Sequence, residues 1–212
     1  PLCSLSVQPI QNLLFKMMQK RNVLVDVRAL DLLYAIATSE NSIQIAQCMI
    51  DFMPKAPLYL RESLATKAAV LIQSYGTGDL NSVSVLIKMI QAGGKELNRN
   101  EVVWRAVVQM LALKKGMQRE VTENVYSIVK SSISTNFAMV KLAAYLIGEY
   151  CHLCVSSFSI KDAVELLILL FNKNEDESCQ SMILTAMMKL VSKSGEVKMT
   201  VKNFFRKNVR SL

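Results

Sequence analysis

The chain has 212 residues, 51% of them hydrophobic, with 7 glycines, 4 prolines and 12 methionines, so it can bury a sizeable core and leans towards long helices rather than turn-rich β architecture. Five cysteines with no regular framework point to a reducing, cytosolic setting without disulfide staples. The net charge is +8, and the longest nearly apolar runs, 163–171 and 182–191, are interrupted by Glu165 and Lys189 and fall short of the roughly 20 residues that cross a bilayer.

From the start, Ile10, Leu13, Leu14, Met17 and Met18 recur at helical spacing, and after a break around Asn22 so do Ala29, Leu30, Leu32, Leu33 and Ile36. The same periodicity predicts helices over 42–53, 58–75, 80–92, 101–113, 119–131, 137–151, 161–172, 177–192 and 197–206. The breaks carry turn chemistry: Pro54 and Pro57, Gly76 and Gly78, Gly93 with Gly94, Gly116, and the stretch from Asn172 to Asn174. About eleven helices in antiparallel pairs result, with no strand and no break long enough for a linker. The expectation is an all-α fold, an α-α superhelix of the HEAT/armadillo-like solenoid kind, running as one continuous segment over 1–212.

Every second helix carries a basic or polar residue followed by small and aliphatic ones. The segments are VRALDLLYAI, TKAAVLIQSY, WRAVVQMLAL, VKLAAYLIGEY and CQSMILTAMM. Aligning Arg28, Lys67, Arg105, Lys141 and Gln180 gives separations of 39, 38, 36 and 39 residues, a helix-pair period. Ala29, Ala68, Ala69, Ala106, Ala143 and Ala144 follow the aligned position and would let neighbouring helices approach closely. Units of this kind bury their apolar faces only against neighbours, so further repeats or caps are expected on both sides of a chain that starts at Pro1 without an initiator Met.

Little here reads as catalytic or metal-binding. Cys151, His152 and Cys154 form the one C-x-x-C, but a structural zinc site needs four ligands and the chain has a single histidine. No nucleophile elbow, phosphate loop or dinucleotide fingerprint is present, and the paired acids Glu120 with Glu123, and Glu175 to Glu177, fall at helix starts where they complement the macrodipole. No catalytic residue, cofactor or metal is therefore expected. The methionines at helical spacing, among them Met49, Met53 and Met187, read as core filling, and Trp104 as either an interface anchor or an inter-helix residue. The charge excess is local: Lys198, Lys202 and Arg206 stand four apart, with Lys207 and Arg210 close by, and form a candidate surface for an acidic partner or an anionic membrane.

VRALDLLYAI (27–36), LRESLATKAAVLIQSY (60–75), VVWRAVVQML (102–111), VKLAAYLIGEYCHL (140–153) and GEVKMTVKNFFR (195–206) together resemble the large-subunit trunk of clathrin adaptor complexes, in order and at matching spacing over nearly the whole chain. The α class, that of the plasma-membrane adaptor, is the nearest; the γ, δ, ε and β classes are the alternatives, and a general HEAT-repeat transport receptor or regulatory scaffold is the rival reading. The resemblance implies a non-enzymatic scaffold in vesicle-mediated transport and endocytosis, part of a longer N-terminal trunk. It implies partners in a second large, a medium and a small chain, a cytoplasmic location at the membrane periphery, and no nucleic acid. The family's phosphoinositide-binding cluster lies at the extreme N-terminus of the trunk, so no family site residue carries over to these positions.

Overall fold

A computed structural model of the chain describes residues 7–18, 22–132 and 136–209. Among them are eleven α-helices and no strand. The helices are α1 (Val7–Met18), α2 (Val23–Ala35), α3 (Ser42–Phe52), α4 (Leu58–Tyr75), α5 (Leu80–Gly93), α6 (Val102–Leu113), α7 (Gln118–Ser131), α8 (Phe137–Tyr150), α9 (Ile160–Lys173), α10 (Glu177–Lys193) and α11 (Lys198–Val209). Short 3-10 turns such as Met53–Lys55 and Cys151–Leu153 tighten several of the connections.

Polar side chains start the helices by satisfying orphan amides. Asn22 accepts from the amides of Leu24 and Val25, Asp79 from Ser82, Asn136 from Met139 and Asp176 from Cys179, while Ser159 and Asp162 form a reciprocal capping box at α9. At the other end of α5, Gly94 takes φ +63°, a conformation open to glycine at no steric cost.

The chain divides into two compact units, Pro1–Ala106 and Val107–Leu212. In the first, α1 packs on α2, α2 on α3, α3 on α4, and α5 on both α3 and α4. Its core holds Leu30, Leu33, Ile45, Met49, Met53, Ile72, Leu86 and Ile90, each nearly or fully inaccessible and each contributing about 1.5–3 kcal/mol by leaving water. Helix α1 departs from the expected stripe: Leu14 is buried, but Ile10, Leu13 and Met17 are exposed, because α2 covers the side bearing Gln11 and Leu14. Buried Gln11 is satisfied by a polar chain, its amide donating to Gln44 Oε1 at 2.9 Å and its Oε1 accepting from Asn41 Nδ2 at 3.0 Å.

In the second unit α7 packs on α8, α8 and α9 on α10, and α10 on α11. At Gly148 α8 and α10 approach closely: a β-carbon there would sit 3.0 Å from Ala186 Cα. All six alanines singled out by the repeat, from Ala29 to Ala144, are buried. The aligned basic position, by contrast, has no common environment. Arg28 and Arg105 are exposed, Lys67 is half-buried on Asp31 at 2.6 Å, and Lys141 is buried.

Candidate interaction surface

Helix α11 closes the second unit with its apolar residues turned inward. Val201 and Phe204 are buried together with Val197 just before the helix, and Phe204 meets Phe171 of α9 edge-on at 5.2 Å between ring centroids. The turn of 100° per residue then leaves Lys198, Lys202, Arg206 and Lys207 exposed on the outer side, with Met199 among them at 61% exposure. None of these four cations forms an ion pair with a described residue, and the nearest acid in sequence, Glu196, is held by Lys161 at 2.7 Å. Arg210, the fifth residue of the expected surface, lies outside the described residues.

Beside this face, a groove of about 570 Å³ runs between α10 and α11, lined by Gln180, Leu184, Thr185, Met188 and Phe205 among others. No set of convergent ionisable groups stands in it. Lys193, the cation that precedes this cluster in sequence, is engaged elsewhere: its ammonium donates to the carbonyls of Gly148 at 2.9 Å and Glu149 at 2.7 Å and so closes the C-terminus of α8.

The C-x-x-C is a packing element. Cys151 and Cys154 are buried; the Cys154 thiol donates to the Tyr150 carbonyl at 3.6 Å, and burial pushes its pKa up to about 11. Burial raises the Cys151 thiol as well, so the thiolates a metal would need are disfavoured, and His152 beside them is exposed. Among the described residues no group of three or more His, Cys, Asp or Glu is placed to hold a metal ion. Trp104 is buried with Arg105 over its ring at 5.4 Å, which makes it an interior residue and not an exposed anchor. Of the paired acids, Glu123 lies in the second turn of α7 and accepts from Arg119 at 2.9 Å, and Asp176 caps the start of α10. Among the described residues no helix is long and apolar enough to cross a membrane.

Polar links between helices, which periodicity of apolar residues does not reveal, recur near one repeat's spacing. Lys67 reaches Asp31, Asn100 reaches Thr66, Arg119 reaches Ser156 and Lys189 reaches Glu149, at separations of 36, 34, 37 and 40 residues. A search for complementary polar pairs at the repeat period is the sequence signal that would find them.

Helix pairs with alanine-lined contacts, cross-linked at one repeat's distance, define an all-α helical-repeat protein. The family described as the Adaptin N terminal region matches residues 4–211, and the chain belongs to that family. It is a divergent, α-like large-subunit adaptin: it is 22% identical over 203 residues to the AP-2 complex subunit alpha of Schizosaccharomyces pombe, covering 95% of this chain and 23% of the relative. Identity is 26% over 192 residues with the AP-2 complex subunit alpha of Saccharomyces cerevisiae, covering 87% and 18%, and 22% over 197 residues with the AP-1 complex subunit gamma-1 of Arabidopsis thaliana, covering 87% and 22%. The chain thus spans less than a quarter of the length of these curated relatives.

Proposed function

We propose that this chain is a stretch of the trunk of an adaptor-complex large subunit of the α type, and that it acts as a scaffold. In this reading it holds a second large, a medium and a small subunit together at the cytoplasmic side of a membrane during endocytic vesicle formation. The match over 4–211, with AP-2 alpha subunits aligned across most of the chain, is the observation that supports it best. The physical form suits the role. Buried alanines and repeat-spaced polar links resist sliding of one helix on the next, while exposed residues outside those contacts are free to recognise partners. The alternative of a general HEAT transport receptor has no support among the relatives named above, whereas the AP-1 gamma relative keeps a γ-type adaptor as the second reading.

Affinity purification of the full-length protein tests this. Recovery of adaptor medium, small and second large subunits is expected, and the identity of the second large subunit separates an AP-2-like from an AP-1-like assembly. Recovery of nuclear-transport factors or a phosphatase in their place would overturn the proposal.

A further inference from the structure

Four arginines elsewhere in the chain are balanced by carboxylates. Arg28 pairs with Asp31, Arg105 with Glu101 and Arg119 with Glu123, each three or four residues away, and half-buried Arg61 pairs with Glu96. Helix α11 differs in carrying several cations and no acid of its own: it contains no Asp or Glu, and Lys198, Lys202, Arg206 and Lys207 share its exposed side with no carboxylate partner among the described residues. Like charges spaced i, i+4 along a helix repel one another, so this arrangement costs stability that an external anion would return.

We propose that the outer face of α11, built on Lys198, Lys202 and Arg206 with Lys207 beside them, binds an anionic lipid surface through charge alone. The proposal rests on the adaptor reading and gives it a specific membrane-facing element. Three features select a lipid surface. Val201 and Phe204 are committed to the core, so α11 cannot roll over to insert an apolar side, and only exposed Met199 is available for shallow contact. The face is the convex side of a helix, with its cations spread over about 12 Å of axis, so it can rest on a charged plane but cannot enclose one headgroup. It is also dominated by lysine, a rotatable point charge that suits a diffuse anionic layer, where carboxylates of a protein partner favour the bidentate fork of arginine.

The test is vesicle flotation of the full-length protein on phosphatidylcholine vesicles with and without phosphatidylserine, at stepped salt. The wild type is expected to float only with phosphatidylserine and to be released as salt shortens the Debye length. Each cation near the surface is worth roughly fivefold in partitioning, so K198Q/K202Q/R206Q should weaken binding on the order of 100-fold with an unchanged helical circular-dichroism spectrum. A second triple, K88Q/K114Q/K173Q, removes the same charge from exposed lysines outside α11 and should leave flotation nearly intact. Equal loss in both triples, or wild-type binding to phosphatidylcholine alone, overturns the proposal. So does a first triple that floats like wild type, and if it also loses a co-purifying adaptor subunit the face is a protein contact instead. Failure of the wild-type full-length protein to recover any adaptor subunit sinks the adaptor reading, a result distinct from every flotation outcome.

Discussion

Asp26 sits inside the first unit with one carboxylate oxygen that meets no hydrogen-bond partner, and burial raises its pKa although Lys55 opposes the shift. Below the ordinary aspartate value of about 4 the group is protonated in both folded and unfolded chains, so it carries no penalty there. As pH rises past that value the unfolded state releases its proton first, and the folded state loses stability until its own raised pKa is passed. Asp26→Asn should therefore raise the melting temperature at neutral pH and give no gain in strong acid. A gain confined to acid would contradict this account. Gly148 is the second informative residue. A leucine there overpacks the contact with Ala186 and should cost about 1–3 kcal/mol in urea unfolding, whereas in Gly148→Ala the helix-propensity gain of about 1 kcal/mol offsets much of the crowding. Equal stability of the two variants would count against a close α8–α10 approach. At Cys48, burial and then Asp51 push the thiol up to about 11, so its alkylation, followed by peptide mass spectrometry, should stay slow at neutral pH and quicken steadily towards that value.

At the level of the helix, Asn100 does two jobs: its Oδ1 accepts from the amides of Val102 and Val103 at the start of α6, and its Nδ2 donates to Thr66 of α4 at 2.9 Å. Asn100→Ala removes both and should cost about 2 kcal/mol, while Asn100→Asp keeps the cap and should lose only about half as much, as read by thermal unfolding. Helix positions are legible in the sequence for the same reason such caps work. Asn22, Asp79, Asn136 and Asp176 precede apolar runs, Pro54 and Gly94 follow them, Pro57 stands just before α4, and the expected span 58–75 coincides with that helix. What periodicity leaves undetermined is which side of a helix is covered. Apolar residues at 10, 13, 14, 17 and 18 form a stripe about 140° wide on α1, wider than the contact that buries it, and only packing against α2 decides that Leu14 is inside and Leu13 outside.

For the molecule as a whole, far-UV circular dichroism should show helical minima with no β contribution, in keeping with the eleven helices of the described residues. The repeat is visible in sequence through its alanines, because a small side chain has one use at a tight contact and it recurs. The basic position beside them is not, since Arg28, Lys67 and Lys141 share a place in the alignment while one is in solvent, one on a carboxylate and one buried. The cationic surface is half legible: spacing puts Lys198, Lys202 and Arg206 on one side, but only packing shows that Lys193 is already engaged at the end of α8. That engagement bears on how the protein is made. The two carbonyls that close α8 wait for a lysine 45 residues downstream of Gly148, and at about 5–20 residues per second a ribosome needs roughly 2–9 s to deliver it. Throughout that interval the end of α8 is open on the nascent chain, so a chaperone that shields helix ends would find its substrate here before the repeat is complete, and a pause in translation shortly after α9 would lengthen its opportunity.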